Sequence, residues 1–261
     1  EITIEGTVSR AFGSYARIQD DSGPTGASGI VLRQVDGGNS TAFQSDIADG
    51  TIQPGTTLRV SGTVSDFNNQ IQINGGDLTG YEVVEQGPPP APIPVTAGEV
   101  NSSAPDDNYQ SVLVSIAGLN FPGASPGDTF QNSTSYTAQN SAGDQLTFRV
   151  QQSEETALGG AAIPVNAFNY EGVVSIFQEE RQLIPVRESD LNTNTDAFVT
   201  TWTTTEASEP IFIPTAPGTT YDFTIDWGDG TTEDISGTDP NPEHTYASPG
   251  TYTVAITGNF P

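Results

Sequence analysis

The 261-residue chain has no cysteine and no lysine, and its single histidine is His244. Without cysteine there is no thiol nucleophile, no disulfide, no cysteine-ligated zinc and no iron–sulfur cluster. Without lysine there is no Schiff-base chemistry, no P-loop cation and no lysine–asparagine cross-link. The seven cationic side chains are all arginines, namely Arg10, Arg17, Arg33, Arg59, Arg149, Arg181 and Arg187, and they face 33 acidic residues, for a formal net charge of -26. Affinity for DNA, RNA or anionic lipid rests on clustered cations, so this balance argues against nucleic acid as a partner. No apolar run approaches the roughly 20 residues of a membrane span, which argues against direct membrane insertion. A start at Glu1, without Met or a basic leader, suggests a mature exported chain. Acidity carried with arginine rather than lysine fits a halophilic surface, and equally an acidic secreted protein of a GC-rich genome.

The residues that are present read as strands. Ile2, Ile4, Gly6 and Val8 alternate with polar neighbours, as do Leu58, Val60, Gly62 and Val64, whereas no stretch of a dozen residues keeps a helical stripe. Turn signals recur at Asp21–Pro24, Asp36–Gly38, Asn74–Gly76, Ser125–Gly127, Asp229–Gly230 and Ser248–Gly250. Short helices are predicted only around 41–49 and 152–158. The run Gly87-Pro-Pro-Pro-Ala-Pro-Ile-Pro94 predicts an extended spacer, and the polar stretch Asp190–Asp196 a second seam. The expected organisation is a β-domain at 1–87, a proline-rich linker at 88–94, a second β-domain at 95–190 and a third at 191–261.

The first two domains look like diverged copies of one unit. Ser14–Gly23 matches Ser135–Gly143, and Val60-Ser-Gly-Thr-Val-Ser-Asp-Phe67 matches Tyr170-Glu-Gly-Val-Val-Ser-Ile-Phe177. Glycine inside such strands permits the sharp coiling of a small five-stranded barrel. The order resembles the tandem OB-like domains of secreted Bacteroidetes-type proteins, which implies two small OB-like barrels. In the third domain Tyr221-Asp-Phe-Thr-Ile-Asp-Trp-Gly-Asp-Gly230, His244-Thr-Tyr246 and Pro249-Gly-Thr-Tyr-Thr-Val254 resemble the PKD domain, an Ig-like β-sandwich. The flanking segments resemble its form in BspA-type bacterial surface proteins. The predicted fold class is therefore all-β: two OB-like barrels in tandem, then a PKD-like sandwich.

The WGDG turn explains itself structurally. Gly228 and Gly230 supply positive dihedrals, Asp229 caps the turn, Trp227 covers one end of a core, and Tyr246 ties a corner by its hydroxyl. His244 is the one candidate general base, with Asp226 or Asp239 as partner, but its place at a strand start favours a structural role. Adjacent carboxylates occur at Asp20–Asp21, Asp106–Asp107, Glu154–Glu155 and Glu179–Glu180, without the aromatic platform that a glycosidase cleft needs. Calcium is the metal candidate, on Asp226, Asp229, Glu233 and Asp234, with Asp106 and Asp107 on another turn, although no run matches an EF-hand loop. Tyr15 with Arg17, and Phe67 with Arg59, are candidates for a groove; a saccharide would tolerate the overall charge better than a polyanion. Three sequons, at Asn39, Asn101 and Asn132, fall in predicted loops.

Together these features predict a non-catalytic, exported structural or adhesive protein of a bacterial cell surface, or a subunit of an extracellular filament. The proline spacer would make it an elongated rod. Copies would join through edge strands, with Ile2–Val8 and Tyr252–Ile256 as candidates. The alternative is a saccharide- or calcium-dependent binding module attached to a larger secreted hydrolase.

Overall fold

The computed structural model describes residues 1–102, 109–192, 198–238 and 240–260. The chain divides into two compact units, Glu1–Asn192 and Thr193–Pro261.

The first unit holds two lobes. In the first lobe come β1 (Ile2–Phe12), β2 (Tyr15–Asp20), β3 (Ser28–Arg33), α1 (Ser40–Ala48), β4 (Thr56–Gly62), β5 (Ser65–Phe67), β6 (Gln70–Asn74) and β7 (Leu78–Gln86). They form one sheet in the order β5-β6-β3-β2-β1-β4-β7. Along β4 the buried residues are Thr56, Leu58, Val60 and Gly62, the period-two pattern that the sequence displays. Val8, Ile18, Leu32, Leu58 and Ile73 meet in the core of this lobe. Phe43 of α1 is fully buried there, with its ring edge-on to Tyr81 at 5.2 Å.

The second lobe runs β8 (Ile93–Pro94), α2 (Ala97–Ser102), β9 (Leu113–Leu119), β10 (Thr134–Gln139), β11 (Gln145–Val150), β12 (Phe168–Phe177), β13 (Glu180–Ile184) and β14 (Leu191–Asn192). Its sheet follows the order β10-β11-β13-β12-β9-β8, with β14 on β12. Phe121, Phe130, Phe148 and Phe168 pack in its core at ring separations of 4.8 to 6.2 Å. Gly172 of β12 leaves room for the Tyr170 ring, since a Cβ there would sit 2.3 Å from the phenol oxygen. That hydroxyl donates to the Val173 carbonyl at 2.9 Å.

The two lobes share one pairing scheme. In each, the first long strand pairs antiparallel with a later one, β1 with β4 and β9 with β12. In each, a parallel pair joins a middle strand to a later one, β3 with β6 and β11 with β13, and the second lobe adds the parallel pair of β8 with β9. Neither sheet closes into a barrel, which departs from the expected closed form. In the first lobe, Thr63 and Val64 interrupt the strand that would close it, so that β4 pairs with β1 and the short β5 with β6. In the second lobe, β9 and β10 meet only through the isolated bridge of Asn120 with Gln139.

The lobes are not beads on a rod, because they pack into a single unit. The Leu113 amide donates to Gln19 Oε1 at 2.8 Å, and Gln70 Oε1 accepts from Ser175 Oγ at 2.5 Å. Arg10 reaches Asp190 at 3.1 Å, with both side chains largely buried. Burial pushes the Asp190 carboxyl up, while Arg10 and the amides of Val186 and Arg187 pull it down. The proline run also carries structure, since Ile93 and Pro94 pair parallel with Val114 and Ser115.

Two helix expectations change. Residues 152–158 form turns, held where Thr156 Oγ1 donates to the Pro185 carbonyl at 3.0 Å and accepts from the Leu158 amide at 3.1 Å. The unexpected α2 starts on a capping box: Thr96 Oγ1 accepts from the Glu99 amide, and Glu99 Oε2 accepts from the Thr96 amide.

The second unit contains β15 (Phe198–Thr204), β16 (Glu209–Phe212), β17 (Thr220–Asp226), β18 (Thr232–Thr238), β19 (Glu243–Tyr246) and β20 (Gly250–Asn259). One sheet has the order β15-β20-β17-β18, and β16 pairs with β19 in a second. Ile211, Tyr221, Phe223, Ile225, Trp227 and Val254 form the core between them. The strands expected to serve as assembly edges are interior ones: β1 lies between β2 and β4, and β20 between β15 and β17.

Candidate functional site

The first unit carries a cleft of about 660 Å³ between its lobes. Period two builds its floor. Ala16, Ile18 and Leu32 point into the core of the first lobe, so Tyr15, Arg17 and Arg33 stand on the opposite face of the same sheet. Gln70, Gln72 and Asn74 extend that face on β6, where Gln72 and Asn74 pair with Val31 and Arg33. The second lobe closes over it with Arg149, Gln152, Glu155, Ser175, Glu180 and Gln182. Two polar sheet faces, each of a kind that ordinarily meets water, thus face one another.

The arginines differ in how they are held. Arg33 Nε donates to the Tyr15 hydroxyl at 2.9 Å and its NH1 to Asn74 Oδ1 at 2.8 Å. Arg149 NH1 donates to the Ser133 carbonyl at 2.8 Å. Arg17 is only 7% exposed, and its Nε has no hydrogen-bond partner. Burial lowers the Arg17 pKa, and the nearby Glu155 carboxylate offsets part of that. Burial and Glu155 together raise the Tyr15 phenol. At the mouth stand Phe67 and Phe177, with rings 6.4 Å apart and 56% and 42% exposed. A wider depression of about 1090 Å³ shares Phe177 and Glu180 with the cleft.

Of the groove candidates, Tyr15, Arg17 and Phe67 come together here, but Arg59 does not. Arg59 lies in a cross-strand ion-pair row with Glu5 and Glu82 on the neighbouring strands. Sequence reasoning missed Arg33, Arg149 and the glutamines. The signal for part of them was the polar half of β6, Gln70-x-Gln72-x-Asn74, which repeats at the period of a strand face.

The second constellation surrounds the turn after β17. Gly228 and Gly230 adopt φ of 76° and 91°, and a Cβ on Gly228 would lie 2.3 Å from the Thr253 carbonyl oxygen. Asp229 Oδ1 accepts from the Thr231 amide at 3.0 Å and its hydroxyl at 2.6 Å, while Asp229 Oδ2 sits 2.9 Å from His244 Nε2. The Thr231 hydroxyl and His244 hold the Asp229 carboxyl down at about 2 against its partial desolvation. His244 stacks on Trp227 at 4.8 Å and meets Tyr246 edge-on at 4.7 Å. The Tyr246 hydroxyl donates to the Trp227 carbonyl at 2.7 Å, the corner tie expected from sequence. Burial raises that phenol to about 12.

Residues 193–259 match the family model of the PKD domain. The second unit is a PKD domain. A search of the curated proteins gives no match. PKD domains are commonly extracellular adhesion or structural modules, and they and all-β folds of this kind are typically non-catalytic.

Within the PKD domain the four calcium candidates do not share a face. Asp226 and Asp234 align with Thr232 and Thr224, whereas Glu233 lies opposite Ile225 and so points the other way. Asp226 Oδ1 accepts from the Gly228 amide at 2.9 Å, and Asp234 Oδ1 from the Thr224 hydroxyl at 2.7 Å. Among the described residues no group of three or more His, Asp or Glu side chains converges as a metal site. Asp106, Asp107 and Asp239 lie outside the described residues. Two sequon amides are already bonded, Asn39 Nδ2 to the Leu78 carbonyl and Asn101 Nδ2 to the Gln145 carbonyl, each at 2.8 Å. Among the described residues no helix is long and apolar enough to cross a membrane.

Proposed function

We propose that the protein is a non-catalytic, exported adhesive module of a cell surface. The observation that carries this reading is the PKD domain, whose lone histidine is committed to the Trp227–Asp229–Tyr246 cluster and so serves the fold. The N-terminal unit supplies the contact surface in this reading. Its lobes are OB-like, an assignment supported by their shared pairing scheme and the repeated Gly-x-Val-Ser strands. Immunogold labelling of intact cells of the producing organism tests the reading. Label on unpermeabilised cells is the expected result; label only after permeabilisation would overturn it.

Assembly into filaments is a second reading. It is favoured by β15, an edge strand whose Phe198 and Val199 are 53% and 57% exposed. An open edge with exposed apolar side chains is a template for pairing between copies. Sedimentation of the purified chain at high concentration decides it. Polymers lost in Val199→Lys support it, and a monomer at every concentration contradicts it.

A further inference from the structure

We propose that the cleft between the two lobes of the N-terminal unit binds a saccharide carrying an isolated carboxylate, such as a uronic acid residue, with Arg17 meeting the carboxylate. Three of the seven arginines in a chain of net charge -26 line this one cleft. Cations so scarce are expected to be scattered among partners, as Arg59 is between Glu5 and Glu82.

Arg17 is the decisive group. It is more than nine-tenths buried, and its Nε donor is unfilled. A buried charged group with an unfilled donor opposes folding, and a carboxylate satisfies a guanidinium fork with two parallel hydrogen bonds. The surroundings suit a sugar ring. Gln72, Gln152, Gln182 and Asn74 offer both donors and acceptors for hydroxyls, and Phe67 and Phe177 offer exposed ring surface at the mouth for its C–H face. A cleft of about 660 Å³ falls within the size of small-ligand sites.

Charge selects a single anion over a polyanion. Glu155 and Glu180 also line the cleft, leaving three cations against two carboxylates. A nucleic acid strand, with a phosphate on every nucleotide, would meet these carboxylates and the negative field of the whole chain. A single carboxylate on an otherwise neutral ring needs only Arg17.

This inference gives the adhesive reading its ligand and rests on that reading for the source of the saccharide. Its test uses purified full-length chain, so a failed cell-labelling experiment and a failed binding experiment remain distinct. Isothermal titration calorimetry compares galacturonosyl-galactose, which has a single carboxylate, with neutral galactobiose and with a short oligothymidylate. The expected result is saturable binding of galacturonosyl-galactose at least about tenfold tighter than galactobiose, which by about 1.4 kcal/mol per decade is about 1.4 kcal/mol of discrimination. Arg17→Met is expected to lose that preference while melting, without ligand, at the same or a higher temperature. Phe67→Ala, on an exposed side chain, is expected to weaken binding several-fold with no change in melting. Equal affinity for acid and neutral sugar, tighter binding of the oligonucleotide, or no binding of galacturonosyl-galactose would each overturn the proposal. So would an Arg17→Met chain that binds like wild type or fails to fold, since the latter assigns Arg17 to the fold.

Discussion

Asp229 shows how far a single carboxylate is legible in advance. Its place between two glycines identifies a turn, and the structure gives it that role: Thr231 and His244 take its two oxygens. Its folded value of about 2 lies below the unfolded value of about 3.9. The carboxylate form therefore stabilises the PKD domain above about pH 4, and that contribution is lost as the pH falls toward 2. Urea titrations of the PKD transition between these limits are expected to show declining stability in wild type and a shallower decline in Asp229→Asn. Parallel declines would assign the loss to other carboxylates. Arg17 was legible, with Tyr15, as a groove candidate, but not as a buried residue. Its burial depends on a lobe about 100 residues further along the chain, and such long-range packing leaves no local periodicity to read.

The strands were readable from alternation and turn residues, but their order in a sheet was not. Ile2–Val8 looks like a free edge in sequence, yet β1 pairs with β2 on one side and β4 on the other and buries Val8 completely. Removal of residues 1–9 is therefore expected to unfold the first lobe. Limited proteolysis would report this as cleavage within residues 1–87 of the truncated chain; resistance equal to wild type would contradict the pairing. The capping box Thr96-Ala-Gly-Glu99 before α2 was a local signal present in the sequence, whereas the turn at 152–158 has the composition of a helix and is set by distant carbonyls of Pro185 and Val186. Closure of the two lobes was the least legible feature. It turns on two residues in one lobe and a single bridge in the other.

For the whole molecule, composition does not show which segments pack together. The proline run ends the first sheet near Gln86, but polar contacts then join the lobes it separates. The PKD match accounts for 193–259, and the surface role drawn from it belongs to the chain as proposed above. A net charge of -26 acts on every part at once. The Debye length falls from about 10 Å at about 0.1 M salt to about 3 Å at about 1 M, so screening strengthens and repulsion among carboxylates eases. Melting temperatures are expected to rise between these two salt concentrations; a constant or falling value would remove the halophilic reading.

Adhesion is the central claim, and the most direct measurement is the retention of intact cells on a surface coated with a neutral galactan that bears isolated galacturonosyl residues, with and without the gene for this chain. Deletion is expected to lower retention several-fold, and the wild-type gene to restore it where one encoding Arg17→Met does not. Retention that is unchanged by deletion would contradict the account.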